Sequence, residues 1–293
     1  MDYTIENAYL RVTVTTFGAQ LKSVIRKSDG IEHMWQADPA VWGYHAPILF
    51  PYTGRLKDGV MEVKDQRIEN CPPHGFARRL EHNLIACSED TIELELTDSG
   101  ETFLLWPYHF SLRSTFTLEG DTVHHTLTVE NRDAEHMPFG IGFHPAFRLP
   151  FDEAHTFADY ALCFDHVESP LCLDTSCGGL VSGKTYRLGE NLDSIPIDEN
   201  LFANDSHCMT GLSSHTLGLY EKDSGRGVVC GIKGFPYVLL WSQPGEPKFV
   251  CIEPWHSTPS LLDGSYRWEE KPAAAVLAPG QIWNTTLSMA FIR

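Results

Sequence analysis

The chain has 293 residues and a formal net charge of -17, from 39 acidic and 22 basic residues. This charge disfavours nucleic acids and anionic membranes as partners, because both bind positively charged surfaces. Hydrophobic residues make up 42% of the chain, which is enough for a globular core, and no stretch approaches the ~20 consecutive apolar residues of a membrane-spanning helix.

Segments of alternating apolar and polar residues recur along the chain. In the clearest of them, Ile92, Leu94 and Leu96 alternate with Glu93 and Glu95, which is typical of a half-buried strand. In chain order, the same pattern predicts strands at residues 9–15, 20–26, 91–97, 110–118, 122–129, 217–220, 227–232, 237–241, 249–252 and 285–291.

Turn signals rich in glycine and aspartate separate these strands, for example at residues 28–30, 98–100 and 223–225. Helical stripes of apolar residues last no more than a turn or two, and strands do not alternate with helices, which disfavours doubly wound and TIM-barrel folds. The pattern therefore predicts an all-β fold, a large antiparallel sandwich or barrel, with residues 1–293 in a single domain. Residues 177–200 and 254–273 are predicted to be long loops, which are often functional.

The N-terminal segment and the cysteines are typical of a cytoplasmic protein. Residues 1–10 lack the basic start and the apolar run of a secretion signal. The eight cysteines are scattered, and the pair Cys172 and Cys177 is too widely spaced for a CxxC motif and has no second pair to complete a zinc site. We therefore expect reduced thiols in the cytoplasm and no bound metal.

Two polar segments in the first third of the chain carry candidate binding residues. Arg55 follows an apolar run, and its guanidinium is either a donor fork for ligand oxygens or half of a surface ion pair. His74 follows two prolines that stiffen the backbone, and Gly75 behind it allows a close approach of another segment. This rigid frame suits a functional histidine and a structural one equally.

Two further segments carry candidate acid–base residues. His144 lies among phenylalanines and glycines, where aromatic faces suit the C–H face of a sugar ring and an apolar setting keeps the imidazole pKa near or below neutral. A core histidine is the alternative. Glu253 ends an apolar strand and precedes Pro254 and Trp255, a position where a carboxylate is costly unless it is paired or functional. Glu253 is therefore the strongest single candidate.

In order and spacing, these segments resemble the galactose mutarotase (aldose 1-epimerase) superfamily, and in particular its LacX-like branch. The similarity rests on Arg55 in Gly-Arg-Leu, His74 in His-Gly-Phe-Ala-Arg, His144 in Gly-Phe-His-Pro-Ala-Phe and Glu253 in Ile-Glu-Pro-Trp, and it extends over essentially the whole chain. The resemblance implies a β-supersandwich with an open cleft on one sheet. It also implies that Glu253 is the general base, His144 the general acid, His74 a hydrogen-bonding partner near the ring oxygen, and Arg55 a substrate-binding residue.

The resemblance implies further features of the site. Asp205 and Arg78 correspond to additional substrate-binding residues, whereas His256 stands where this branch is expected to have an aromatic residue. The implied reaction interconverts the α and β anomers of an aldohexose and needs neither a metal nor another cofactor. The expected partner is a small-molecule sugar, and the expected assembly is a monomer or a weak homodimer.

Two alternatives within the same fold remain open. A hexose-6-phosphate mutarotase would need clustered cations around the phosphate, which Arg55, Arg78 and Arg79 provide. A non-catalytic sugar-binding or regulatory protein would keep the cleft without turnover. A histidine-rich metal site is a poorer reading, because the neighbours His124 and His125 point to opposite faces of a strand. A glycosidase would need two carboxylates roughly 5–10 Å apart.

Overall fold

The computed structural model describes residues 1–293 and contains 25 short strands, one α-helix and four 3₁₀ helices. The strands are β1 (Asp2–Glu6), β2 (Leu10–Thr15), β3 (Gln20–Arg26), β4 (Ile31–Glu32), β5 (Ile48–Leu49), β6 (Met61–Val63), β7 (Gln66–Ile68), β8 (Asn83–Cys87), β9 (Thr91–Thr97), β10 (Phe110–Glu119), β11 (Thr122–Asn131), β12 (Met137–Phe139), β13 (Gly142–Phe143), β14 (Ala146–Arg148), β15 (Tyr160–Glu168), β16 (Leu171–Leu173), β17 (Thr185–Arg187), β18 (Leu192–Pro196), β19 (His207–Thr210), β20 (Thr216–Glu221), β21 (Gly227–Gly231), β22 (Tyr237–Trp241), β23 (Phe249–Trp255), β24 (Ala275–Leu277) and β25 (Ile282–Ile292). The α-helix, α1, spans Gly100–Leu105, and the 3₁₀ helices span Lys57–Gly59, Ala77–Arg79, Phe157–Asp159 and Trp268–Glu270.

Two large sheets dominate the architecture. A nine-stranded sheet has the order β18-β15-β20-β21-β25-β11-β10-β9-β8, and an eight-stranded sheet has the order β17-β16-β19-β22-β23-β13-β5, with β14 also paired to β23. A four-stranded sheet, β1-β2-β3-β4, and the small pairs β12-β24 and β6-β7 complete the structure. All of these strand pairs are antiparallel, which confirms the predicted antiparallel β-sandwich class.

Strand alternation explains which side of each sheet is buried. In β9 and β11 every second residue is buried and its neighbours are partly exposed, so these strands turn one face to solvent. All seven residues of β23 are buried. Its residues Val250 and Ile252 join the main core of 60 buried residues, whereas Phe249 and Cys251 pack on the opposite face in a small separate cluster. The eight-stranded sheet is therefore covered on both sides around β23.

Several predicted elements agree with the structure in their bounds. The strands predicted at residues 20–26, 91–97 and 237–241 coincide with β3, β9 and β22. The predicted strand at 249–252 is too short, because β23 runs on to Trp255, and Glu253 therefore lies inside the strand and not at its end. No helix of the structure has the length and apolar character needed to cross a lipid bilayer.

The predicted loop at residues 177–200 is wrong in part. It contains β17, which pairs with β16, and β18, which pairs with β15 at the edge of the nine-stranded sheet. Both strands are largely polar and exposed, so their own sequence carries no strand signal and the partner strand determines their conformation. The segment at 254–273 begins with the last two residues of β23 and includes the 3₁₀ helix at Trp268–Glu270, but it has no further strand.

Candidate active site

A cavity of about 270 Å³ lies against β22 and β23 of the eight-stranded sheet. All six residues predicted from the sequence line it: Arg55, His74, Arg78, His144, Asp205 and Glu253. These residues come from segments spread over two hundred positions of the chain, and the fold brings them to one side of one sheet. The cavity is slightly smaller than the ~300–1,000 Å³ usual for small-molecule sites, a size that suits a compact ligand.

The register of β22 and β23 determines which side chains reach the cavity. Glu253 lies opposite Leu239, and Cys251 lies opposite Trp241. Because residues two apart in a strand share a face, Cys251, Glu253 and Trp255 are on the same side of the sheet. Leu239, Trp241, Glu253 and Trp255 line the cavity, and the alternate residues of both strands point into the sandwich core.

Glu253 is a buried carboxyl group, with 1% of its surface exposed. Burial raises the pKa of Glu253 well above its usual value, and charge repulsion from Asp205 adds to the rise. The indole N–H of Trp255 and the guanidinium of Arg78 oppose it. Neither Trp255 Nε1 nor Glu253 Oε2 has a hydrogen-bond partner in the structure.

His144 is placed beside Glu253 by the sharp connection between β13 and β14, both of which pair with β23. Its ring stacks on Trp42, with ring centroids 5.0 Å apart, and meets Trp241 edge-on. Burial lowers the pKa of His144 to about 3, with a further contribution from the positive charge of Arg78. The imidazole is therefore held in the neutral form by its surroundings.

The side chains of His144 and Glu253 form a close pair. His144 Nε2 lies 3.2 Å from Glu253 Oε2, but the geometry is not that of a hydrogen bond, because Oε2 accepts none. Burial raises the pKa of the Glu253 carboxyl and lowers that of the His144 imidazole, so a proton held by the pair resides mainly on the carboxyl. Moving this proton to the imidazole converts the pair to a carboxylate and an imidazolium.

The loop geometry around His74 fixes its tautomer. The backbone N–H of His74 donates to the Gly54 carbonyl at 2.7 Å, and the Gly54 N–H donates to His74 Nδ1 at 3.1 Å. Because Nδ1 accepts a hydrogen bond, the proton of the neutral ring must be on Nε2. Burial, reinforced by the charge of Arg78, lowers the pKa of His74 well below its usual value, so His74 is a neutral Nε2–H donor.

Two adjacent residues with positive φ produce this loop. His74 has φ of +65° and Gly75 has φ of +71°. A Cβ on Gly75 would lie 2.1 Å from the Phe50 carbonyl oxygen, so no other residue fits there. The segment that approaches closely behind His74, as the sequence predicted from Gly75, is therefore the backbone at Phe50.

The cations predicted to bind ligand differ in their surroundings. Arg78 is buried, its guanidinium lies 4.7 Å from the centre of the Tyr44 ring, its Nε has no hydrogen-bond partner, and it forms no ion pair with a carboxylate. Arg55 is exposed at the rim and packs against Gly179. Arg79 is exposed and does not line the cavity, so the predicted cluster of three arginines is reduced to two.

Asp205 reaches the cavity from the turn before β19 and has φ of +77°, an uncommon conformation for aspartate. His207 anchors this turn: its Nε2 donates to the Leu201 carbonyl at 2.5 Å, and the Tyr186 hydroxyl donates to its Nδ1 at 2.8 Å. The anchor explains how an exposed acidic residue keeps a defined position beside Glu253. The sequence indicated Asp205 but not the two residues that hold its turn.

The aromatic walls of the cavity differ from those expected around His144. Phe143 and Phe147, its neighbours in sequence, are buried in the sandwich core. The aromatic residues that line the cavity are Trp42, Tyr44, Trp241 and Trp255. Strand alternation along β22 and β23 places Trp241 and Trp255 on the same face as Glu253. Trp42 and Tyr44, in contrast, reach the site through a non-helical segment whose sequence gives no local signal.

His256 does not line the cavity, so its departure from the expected aromatic residue does not act on the site directly. Its Nε2 lies 2.8 Å from the Thr285 hydroxyl, and its ring packs against those of Phe235 and Trp283. Burial lowers its pKa to about 4. His256 is therefore a neutral structural residue that takes the space of an aromatic side chain.

We compared the chain with a family model, with related sequences and with solved structures. The family described as aldose 1-epimerase matches residues 1–289. The chain is 33% identical over 287 residues to the chromosomal protein LacX of Lactococcus lactis subsp. lactis, and the match covers 95% of both chains. Among solved structures, a galactose mutarotase related enzyme from Lactobacillus acidophilus superposes with a TM-score of 0.92 at 28% identity, covering 100% of this chain and 98% of that one.

A galactose mutarotase-like protein from Lactobacillus casei has the same fold, with a TM-score of 0.91 at 24% identity and 99% of each chain covered. The family match spans nearly the whole chain. The chain belongs to the aldose 1-epimerase family.

Proposed function

We propose that this protein is an aldose 1-epimerase that interconverts the α and β anomers of an aldohexose. The observation that carries the proposal is the pair formed by His144 Nε2 and Glu253 Oε2, 3.2 Å apart in a cavity with aromatic walls. Opening a cyclic hemiacetal requires a base at the anomeric hydroxyl O1 and an acid at the ring oxygen O5. These oxygens share one carbon atom, so an acid and a base that nearly touch match their spacing.

The proposed reaction begins with the proton of the pair on His144. Glu253 takes the proton of the O1 hydroxyl while His144 gives a proton to O5, the C1–O5 bond breaks and a C1–O1 double bond forms. Rotation about C1–C2 turns the aldehyde, and ring closure on its other face returns both protons. Ring opening thus converts a carboxylate and an imidazolium into a carboxylic acid and a neutral imidazole, which is the form that burial favours.

Two neighbouring cavity residues support the transfer. His74 supplies a neutral Nε2–H that is free to donate to a ligand oxygen, and it remains a donor throughout because Gly54 fixes its tautomer. Arg78 has no carboxylate partner, so its charge is available to negative charge that develops on the sugar. Positioned general acid–base groups contribute ~10²–10⁴-fold in rate, and fixed donors add to this. The proton transfers balance within the pair and the sugar, so the proposed reaction consumes no cofactor.

The cavity walls suit the rest of a pyranose. Trp42, Trp241 and Trp255 offer apolar faces to the C–H groups of the ring, while Asp205 and Arg55 stand at the rim for its hydroxyls. A compact cavity of about 270 Å³ favours one sugar ring over an oligosaccharide. The substrate class we propose is therefore a monosaccharide.

A phosphorylated hexose is the second candidate, favoured by Arg78 and Arg55, which line the cavity without a carboxylate partner. The charge of Arg78 acts on both Glu253 and His144, which suits a position near the reacting atoms more than a distant phosphate. Only Arg55, at the rim of the cavity, then remains to bind a phosphate. For these reasons we rank the neutral sugar first.

The test is a comparison of sugars. Catalysed anomer exchange of glucose, galactose and glucose 6-phosphate is followed by polarimetry after subtraction of the spontaneous rate. We expect a neutral aldose to give the highest kcat/KM. A preference for glucose 6-phosphate that disappears in Arg55→Ala would establish the second candidate. Sugar binding by calorimetry without faster exchange of any sugar would overturn the enzyme proposal in favour of a binding protein.

A further inference from the structure

We propose that the same cavity binds a thiophilic divalent cation, Zn²⁺ or Cd²⁺, through Cys251 Sγ, His144 Nε2 and Glu253 Oε2. Cys251 has no part in the proton transfers proposed above. It lies two residues before Glu253 on the same face of β23. The three ligand atoms all lie within 4.8 Å of one another.

The spacing of these atoms suits a tetrahedral ion. Nitrogen and oxygen ligands lie ~2.0–2.2 Å from zinc, so two of them in a tetrahedron are separated by ~3.3–3.5 Å. His144 Nε2 and Glu253 Oε2 are 3.2 Å apart, which is close to such an edge. An ion that bridges these two atoms therefore needs only a small movement of either side chain, and a cavity water takes its fourth position.

The ligand atoms are also free to bind. Glu253 Oε2 is fully enclosed and accepts no hydrogen bond, and Cys251 is a free, buried thiol. Unpartnered polar atoms in a buried site are costly, and coordination would satisfy them. Binding as thiolate and carboxylate cancels the two charges of the ion, and the protons of both groups are released.

The route to the site runs through the cavity. His144 and Glu253 line the cavity, and Cys251 packs behind them with Phe249 and Ala146. An ion that enters the cavity therefore meets the imidazole and the carboxyl first and the thiol last. A thiolate ligand selects Zn²⁺ and Cd²⁺ over Mg²⁺, which prefers six oxygen ligands.

The chain contains a second group of potential ligands that serves as an internal contrast. Asp152, His155 and Glu221 also lie within 4.8 Å of one another. There, however, the Arg226 guanidinium already contacts Asp152 at 2.5 Å and Glu221 at 2.6 Å. A cation would have to displace this arginine, so only the cavity group is free for a metal.

If the proposed function holds, the ion competes with the sugar, because it occupies the acid and the base together. Zn²⁺ would then raise the apparent KM in proportion to its concentration and leave kcat unchanged. This consequence rests on the proposed function, but metal binding itself does not.

Binding is tested without turnover, in a parent protein in which the exposed Cys87 and Cys177 are replaced by serine. The probe is Co²⁺, which takes the same geometry as Zn²⁺ and gives a near-ultraviolet charge-transfer band when a thiolate binds it. We expect one Co²⁺ per chain, with a band that Zn²⁺ abolishes and Mg²⁺ does not. Calorimetry with Zn²⁺ gives the affinity.

Variants assign the ligands. Cys251→Ala and Cys251→Ser should lose the band and weaken Zn²⁺ binding by at least ~100-fold, because even the loss of a residue that only supports a ligand costs ~10–100-fold. His155→Gln should keep both the band and the affinity. Glu253→Gln weakens Zn²⁺ binding independently if a Cys251 variant does not fold. Absence of the band in the parent, or its persistence in Cys251→Ala, would overturn the proposal. Failure of the anomer-exchange assay leaves the Co²⁺ result intact, so the two proposals fail separately.

Discussion

Replacing Glu253 and His144 separately and together measures whether the two side chains act as one unit. Glu253→Gln keeps the size of the side chain and removes the base, and His144→Gln removes the acid. Each single change is expected to lower kcat by ~10²–10⁴-fold, the usual contribution of one positioned acid or base.

The magnitude for the double variant follows from the geometry. Two independent groups would lose the product of the single effects, ~10⁴–10⁸-fold. His144 Nε2 and Glu253 Oε2 are 3.2 Å apart, and the proposed mechanism moves one proton between them, so removing either leaves the other without its function. We therefore expect the double variant to be no slower than the slower single variant, as is usual for catalytic groups that work together.

The assay is polarimetry of a freshly dissolved anomer, with the spontaneous rate subtracted and kcat obtained from saturation curves. Sugar binding is checked by tryptophan fluorescence, because Trp42, Trp241 and Trp255 line the cavity. Glu101→Gln and His136→Gln make the same chemical changes at exposed positions and should leave kcat unchanged. A double variant whose loss equals the product of the two single losses would refute the shared-proton reasoning, as would full activity in Glu253→Gln.

Three further predictions follow from the same structure. The profile of kcat/KM against pH should be bell-shaped, because the proposed mechanism needs one proton on the pair of His144 and Glu253, whose pKa values burial moves in opposite directions; a monotonic profile would contradict this. The folded-state pKa of Glu253 is raised, so this carboxyl favours folding at low pH and the benefit is lost as the pH rises. Glu253→Gln should therefore have a higher Tm than the parent at pH 8 and a similar Tm near pH 4. A lower Tm of the variant at pH 8 would contradict the argument. Gly75→Ala should lower the unfolding free energy, measured in urea, by roughly 3–5 kcal/mol, because its Cβ would meet the Phe50 carbonyl oxygen. Gly30 has a similar φ but nothing within 4 Å of its Cβ position, so Gly30→Ala should cost about 1 kcal/mol. Equal losses in the two variants would exclude the steric cause.

The sequence predicts strands well where one face is buried and the other is wet. Residues 91–97 alternate because β9 packs one face on the core, and the predicted and observed strands coincide. The sequence pattern does not predict β17 and β18, because their residues are polar and exposed and only pairing with β16 and β15 makes them strands. The local pattern of apolar and polar residues reflects which side chains are buried, so it does not predict strands that form only by pairing at the edge of a sheet.

The candidate site was predictable as a set of residues but not as a geometry. Family spacing indicated Glu253, His144 and His74, and the structure brings them to one cavity. The sequence carried no sign of Trp42 beside His144 or of the Gly54 contacts that fix the tautomer of His74. Both depend on segments distant in the chain, which local periodicity does not relate to each other.

The most direct test of the central claim is two-dimensional NMR exchange spectroscopy on an aldose at anomeric equilibrium. Cross-peaks between the α and β anomeric protons report exchange without any net reaction. Wild-type protein should give exchange that rises in proportion to its concentration, and Glu253→Gln at the same concentration should give the spontaneous rate. Exchange that stays at the spontaneous rate with wild-type protein, across neutral and phosphorylated aldoses, would contradict the assignment of this cavity as a mutarotase active site.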